Sequence, residues 1–220
     1  YIVLVGEPAT RKSTAMDIGK KILRTIEQVK LAPESSTREA LIDRMAANKV
    51  ECTLFGKDIS YWQASAFISE FEQFLGGKHV NQSMVGFLTD IWDIPLFEEH
   101  TRKGGTITIH NPFFSLVGCC TPSWMNTKLQ SDVISDGFSR RTIFVLDKEK
   151  NCRNPWPVTS EFEESMRDAL HKDAKRMFLL SGRFDFTKEA RKYYDERYYQ
   201  QDEEASKHSE KVRHYFSSKH

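Results

Sequence analysis

The apolar run Tyr1-Ile2-Val3-Leu4-Val5 opens directly into Gly6-Glu7-Pro8-Ala9-Thr10-Arg11-Lys12-Ser13-Thr14, and helical periodicity follows at once. A buried strand that turns through a short loop into a helix points several backbone N–H groups, and the positive end of the helix dipole, at one anionic spot. In the pattern G-x-x-x-x-G-K-[ST], Lys12 would reach the β/γ-phosphates and the Ser13 hydroxyl would complete a Mg²⁺ shell. Residues 6–14 are therefore expected to form a phosphate-binding loop for ATP and Mg²⁺. Arg11 departs from the pattern, since it stands where the second glycine belongs. If that position needs a positive φ, a side chain there costs of order 1 kcal/mol, which binding can tolerate. An ordinary strand-to-helix turn carrying a Lys-Ser pair is the other reading these residues allow.

With 220 residues, 39% hydrophobic and 29% charged, the chain suits one full α/β domain with an appendage. We expect an ATPase core over residues 1–150 and a C-terminal helical region over 158–220. The formal net charge of +1 provides no global basic field, so any nucleic-acid contact must come from a local patch. Cys52, Cys119, Cys120 and Cys152 form no C-x-x-C pair, which argues against a zinc site or a disulfide framework and fits a cytoplasmic protein. No apolar stretch approaches the roughly 20 residues a membrane span needs, and no signal peptide precedes the first strand. The chain starts without Met inside a strand pattern and ends at Ser217-Ser218-Lys219-His220, so it reads as a piece of something longer.

Ile18, Ile22, Leu23, Ile26 and Val29 recur at helical spacing, which predicts a loop helix over about 12–29, broken by Pro33. Ser36-Thr37-Arg38-Glu39 has the form of a capping box, introducing a helix with Ala40, Leu41, Met45 and Ala46 on one face. A strand over 49–55, a turn over 56–61, a short buried strand over 64–69 and a helix over 83–92 are expected next. Residues 96–110 read as a hairpin around Gly104-Gly105, with Arg102 and Lys103 at a basic tip. The run 113–120 has the apolar continuity of a central parallel strand buried on both faces. A strand over 141–146, a linker over 148–157, helices over 161–180 and 187–215, and a strand-like 183–186 complete the reading. His100 and His110 are expected to be polar hairpin residues, since no third metal ligand lies at suitable spacing.

A phosphate loop alone only binds. Hydrolysis also needs an acid at the end of a neighbouring strand, for the Mg²⁺ water shell, and a carboxylate that orients the attacking water. In Ala66-Phe67-Ile68-Ser69-Glu70, Glu70 is the candidate base, while Ser69 holds the place usually taken by the magnesium-shell Asp and Glu72 follows two residues on. A solvated helix start, where Glu70 and Glu72 meet the dipole, is the other use of these residues. The strand 114–120 ends at Thr121-Pro122, which would set the Thr121 hydroxyl beside the γ-phosphate, although a plain strand-to-turn transition ends the same way.

Asp136-Gly137-Phe138-Ser139-Arg140-Arg141-Thr142 places two arginines at the entrance of the last core strand. Here the chain resembles AAA+ ATPases of the helicase clade. Together with the loop, the acidic strand end, the hairpin and the segment from Asn111-Pro112 to Thr121-Pro122, it resembles the helicase-like P-loop ATPases of phages, prophages and plasmids, often the C-terminal parts of primase-helicases. The likeness covers residues 1–147 and extends weakly over 186–194, similar to the first helix of an ATPase lid domain.

The resemblance implies an AAA+ P-loop NTPase fold: a parallel central sheet flanked by helices, an inserted β-hairpin and a C-terminal lid segment. It also implies a homo-oligomeric ring, in the manner of a hexamer, in which Arg140, with Arg141 as alternate, acts as an arginine finger on a neighbour's nucleotide. Thr121 would sense the γ-phosphate. Arg102 and Lys103 would project into the pore and hold single-stranded DNA by its phosphates, making the chain a helicase or translocase in phage or mobile-element replication. A basic tip kept for solubility and arginines in routine ion pairs are the plainer uses of the same residues. Arg11 and Ser69 favour a second class, a nucleotide-binding oligomeric scaffold or loader with weak or no turnover; a monomeric P-loop enzyme such as a kinase is a third. Tyr193, Tyr194, Tyr198 and Tyr199 suit helix packing, or base stacking on their rings.

Overall fold

The computed structural model describes residues 1–54, 56–77, 80–101, 105–128, 137–147, 160–180, 182 and 184–207. Within them lies an α/β fold whose central sheet is mixed but mostly parallel, with helices on its flanks. Strand β1 (Ile2–Val5) leads through the loop to α1 (Lys12–Leu23), and α2 (Arg38–Ala46) precedes β2 (Lys49–Leu54) and β3 (Lys57–Ile68). Then come α3 (Phe71–Phe74), α4 (Gln82–Asp90), the hairpin β4 (Leu96–Thr101) and β5 (Gly105–His110), and β6 (Pro112–Cys120). Helix α5 (Pro122–Lys128), a 3₁₀ turn (Ser139–Arg141), β7 (Ile143–Leu146), α6 (Glu161–Phe178) and α7 (Lys188–Ser206) complete the order.

The five-stranded sheet runs β2-β3-β6-β1-β7. Strands β3, β6, β1 and β7 are parallel, with Val5 level with both Cys120 and Leu146, and Ile68 level with Gly118. Only β2 is antiparallel, because it joins β3 through a tight turn at Gly56, φ +73°. The expected turn over 56–61 is thus mostly strand, and β3 is twelve residues long rather than the short element foreseen.

One sheet face carries the main core. Val3, Val5, Ala64, Ala66, Ile68, Phe114, Leu116 and Cys120 pack against Leu41, Ile42 and Met45 of α2 and Met84, Val85 and Leu88 of α4. A set of aromatic rings ties this core to the chain end of β3: Phe71 stacks on Phe74 and Phe138 and meets Trp124 edge-on, while Tyr1 stacks on Phe138. Each ring fully buried in this way contributes roughly 1.5–3 kcal/mol of transfer free energy. The opposite face is covered near the loop by α1 through Met16, Phe67 and Cys119. Farther from the loop it opens out, with Phe113 57% and Ile143 54% exposed, so β6 is not buried on both faces as its composition predicts. In its first half the alternate residues Phe114 and Leu116 are the buried ones, the pattern of a half-covered strand, whereas Gly118, Cys119 and Cys120 at the loop end are all buried as expected.

Several boundaries shift for local reasons. Helix α1 ends at Leu23 rather than 29, because the Thr25 hydroxyl donates to the Ile22 carbonyl (2.7 Å) and the chain turns to bury Ile26. The N-cap of α2 is Thr37, whose hydroxyl accepts from Ala40 N (3.2 Å), so the expected Ser36–Glu39 box does not form; Ser36 donates to the Pro33 carbonyl instead. A full capping box occurs at Ser160–Glu163, opening α6. Arg141 belongs to the 3₁₀ turn before β7, and residues 184–186 have no regular structure where a strand over 183–186 was expected, residue 183 lying outside the described residues.

The two arms of the hairpin pair as read, with Thr101 opposite Gly105 and Leu96 opposite His110. It is a separate two-stranded unit, anchored by buried Phe97 and Ile109 and by a two-pronged Arg38–Glu99 ion pair from α2. His100 Nδ1 lies 3.0 Å from the Thr106 hydroxyl and His110 leans on Trp62, so both histidines are occupied within the hairpin and its base. The expected tip residues Arg102 and Lys103, Cys152 and the 148–157 linker lie outside the described residues. No helix among the described residues is long and apolar enough to cross a membrane.

Candidate functional site

Four parallel strands end side by side, and the segments leaving three of them line one cleft of about 690 Å³: Pro8, Ala9, Arg11, Lys12, Ser13 and Thr14 after β1, Ser69, Glu70 and Glu72 after β3, and Cys119, Cys120 and Thr121 at the end of β6. A crevice beyond the carboxyl ends of parallel strands is where open α/β sheets take ligands. Because β6 lies between β1 and β3, its tip faces the gap between the loop and the acidic strand end. The sequence-read residues Lys12, Ser13, Thr14, Glu70 and Thr121 are thereby brought to one place.

Backbone geometry holds the loop. Gly6 N donates to the Cys120 carbonyl (3.2 Å), and a Cβ at Gly6 would lie 2.9 Å from the Thr10 hydroxyl and 3.1 Å from the Asp147 carbonyl, so only glycine fits. Thr10 donates to the Glu7 carbonyl through both N (3.3 Å) and Oγ1 (2.8 Å). Arg11 is the N-cap of α1 at φ 63°, ψ 25°, the left-handed conformation that the glycine of the pattern would adopt without steric cost. Its side chain is exposed and no side chain caps the helix, leaving the first-turn N–H groups of α1 directed at the cleft.

Lys12 folds back over its own loop. Its Nζ donates to the carbonyls of Gly6 (2.6 Å) and Glu7 (2.9 Å) and to Thr10 Oγ1 (3.3 Å). The ammonium thus sits over the loop with backbone oxygens as acceptors, a compact point charge on a flexible stem that an anion in the cleft can draw out.

Glu70 stands at the N-cap position of α3, exposed and with no side-chain cap bond, and Glu72 lies in the first turn, so the two carboxylates also occupy the helix start that the sequence allowed. Thr121 does cap a helix: its hydroxyl oxygen accepts from Trp124 N (3.3 Å) at the start of α5. That use takes a lone pair and leaves the hydroxyl proton available to donate. Cys119 and Cys120 form the cleft floor, and burial pushes their thiols up to about 11 and about 12 respectively, so both are neutral small side chains there.

Arg140 and Arg141 stand elsewhere. They lie in the turn before β7, and β7 runs parallel to β1, so they are at the end of the sheet opposite the loop. Four strand residues alone account for roughly 13 Å of that separation. Arg141 is bound into its own chain, donating to Asp93 (2.6 Å) and to the Gly137 carbonyl (3.1 Å); Arg140 is exposed.

The oxygen groups of the cleft, the hydroxyls of Ser13, Thr14, Ser69 and Thr121 with the carboxylates of Glu70 and Glu72, suit a hard cation that keeps several waters and shares a phosphate. Among the described residues no group of three His, Cys, Asp or Glu forms a protein-only metal cage. One carboxylate of the neighbourhood was not anticipated: Glu34 accepts a 2.6 Å hydrogen bond from the Ser69 hydroxyl. The sequence held no motif for it, since Glu34 lies in a loop thirty-five residues away. No family model and no curated protein matches the chain.

Proposed function

We propose that this chain is a P-loop ATPase of AAA+ helicase type, acting as a ring on single-stranded DNA in phage or mobile-element replication. One observation carries the reading: the phosphate-loop residues, Glu70 and Thr121 converge on a single cleft while Arg140 sits at the opposite end of the sheet. In that arrangement Lys12 and the α1 N-terminus hold the phosphates, Ser13 supplies a hydroxyl ligand to Mg²⁺, Glu70 orients the attacking water and Thr121 donates to the γ-phosphate. Mg²⁺ would neutralise charge on the phosphate oxygens. Arg140 cannot reach the cleft of its own subunit, which favours action across a subunit interface over an ordinary cis role. The part given to Arg102 and Lys103 in gripping DNA rests on the sequence resemblance.

A fluorescent ATP analogue, titrated with and without Mg²⁺, tests the binding half, and phosphate release with and without single-stranded DNA tests the motor half. Mg²⁺-dependent binding lost in Lys12→Ala, with DNA-stimulated release, supports the reading; no binding overturns it. The second reading, a nucleotide-binding oligomeric scaffold, is favoured by Ser69 in place of an acid at the β3 end. Binding without release under either condition would select it. A strict monomer by light scattering with a non-hydrolysable analogue would instead favour a kinase-like enzyme.

A further inference from the structure

Residues 30–32 run beside the second half of β3. Ala32 N donates to the Ser65 carbonyl (2.8 Å), Ser65 N donates to the Lys30 carbonyl (2.9 Å), and Leu31 pairs with Ser65 in a parallel bridge. Continued at the same pace, this extension brings Glu34 level with the end of β3, where the Ser69 hydroxyl donates to Glu34 Oε2 at 2.6 Å. The other carboxylate oxygen, Oε1, accepts from Lys20 Nζ of α1. A relay Lys20–Glu34–Ser69 therefore links the loop helix to the strand end that walls the cleft.

A serine hydroxyl has one proton and two lone pairs. A neutral hydroxyl free to rotate would turn its proton toward whatever acceptor enters, whereas a hydroxyl committed to a carboxylate presents only lone pairs elsewhere. Ser69 lines the same cleft as Ser13, Glu70 and Thr121.

We propose that Glu34 is a positioning residue for the divalent cation: by holding the Ser69 proton it makes Ser69 an acceptor for a metal-bound water, in the place where an aspartate would otherwise stand. This rests on the nucleotide reading above. The Lys20 and Ser69 hydrogen bonds hold the Glu34 carboxyl below the usual carboxylate range, so the relay is intact at neutral pH. Lys20 offsets the charge of Glu34, which makes the effect one of hydrogen-bond direction more than of added negative charge.

The test measures the Mg²⁺ concentration that half-saturates binding of a fluorescent ATP analogue, in the full chain and in Glu34→Ala, Ser69→Ala and the double variant, with thermal midpoints taken alongside. Each single variant is expected to raise the half-saturating Mg²⁺ by about 10-fold. The double variant should be no worse than either single one, as for two members of one relay. Binding in EDTA should be unchanged throughout. Ser69→Asp in the Glu34→Ala background should restore the Mg²⁺ response, because a carboxylate then needs no orienting partner. An unaltered Mg²⁺ response in Glu34→Ala, whether or not its thermal midpoint falls, overturns the proposal and leaves Glu34 a tether of the 30–34 loop. Failure of Ser69→Asp to rescue also overturns it. If the wild-type chain binds no nucleotide, this proposal falls with the reading it rests on; Mg²⁺-dependent binding in the wild type that ignores Glu34→Ala removes this inference alone.

Discussion

The Arg141 guanidinium donates to Asp93 at 2.6 Å and to the Gly137 carbonyl at 3.1 Å, so this arginine is built into the fold of its own chain. With the proposed role of Arg140, this predicts different phenotypes for the two arginines. Arg141→Ala should lose about 1–2 kcal/mol of stability through a half-exposed ion pair and a backbone hydrogen bond. On the proposed reading, Arg140→Ala should lose on the order of 10³-fold in phosphate release and keep its nucleotide affinity. Mixing Arg140→Ala with Glu70→Gln subunits should recover activity, because some interfaces then pair an intact Arg140 with an intact Glu70. Chemical denaturation and phosphate release on the same preparations separate the two effects.

Arg11 occupies the left-handed region at φ 63°. Arg11→Gly removes the steric cost of that conformation but adds flexibility to the unfolded chain, so a net gain of up to about 1 kcal/mol is expected. Urea denaturation midpoints at constant m-value test it. A loss of stability would mean the arginine side chain makes a favourable contact that outweighs its backbone strain.

Gly118 faces Phe71, and an added Cβ would meet the ring carbon Cδ2 at 2.8 Å and Cγ at 3.1 Å. Phe71 is fully buried among Phe74, Trp124 and Phe138 and has nowhere to retreat. Gly118→Ala should therefore cost about 1–3 kcal/mol and displace Glu70, the residue next to Phe71. On the proposed reading, phosphate release should fall more than metal-free nucleotide binding does, since the loop of residues 6–14 follows another strand. Thermal unfolding and paired binding and turnover measurements check both parts.

Burial raises the thiols of Cys119 and Cys120 to about 11 and about 12, so at pH 8 the reactive thiolate is scarce in both. Of the three cysteines among the described residues, iodoacetamide at that pH should label the half-buried Cys52 first. Reactivity of the cleft pair should climb only as pH rises toward those values, or on unfolding. Peptide mass spectrometry over a pH series reads this out, and labelling of Cys119 at neutral pH would show that the cleft floor is open.

The strand-loop-helix unit of residues 2–23, the hairpin arms and the capped helices were legible because each depends on neighbours in sequence: a strand feeding a helix, two strands close in the chain, a hydroxyl reaching the next few N–H groups. Even there the N-cap moved from Ser36 to Thr37, since two adjacent hydroxyls offer the same signal and only packing of Leu41 and Ile42 chooses the helix phase. The half-open face of β6 was not legible. Apolar continuity over 113–120 records which side chains could be buried, whereas the extent of α1 over the sheet determines which are.

By itself, the chain's order of residues determined that a strand, a glycine-led loop and a helix beginning at Lys12 would meet, since that unit is closed by local hydrogen bonds. Tertiary structure alone decided that β6 would lie between β1 and β3, setting Thr121 between the loop and Glu70, and that Arg140 would stand at the far end of the sheet. It also brought Glu34 to Ser69 through a strand-like extension with no signature of its own. Strand order and side-chain contacts across thirty or more residues are set by which surfaces bury one another, and that is a property of the packed whole.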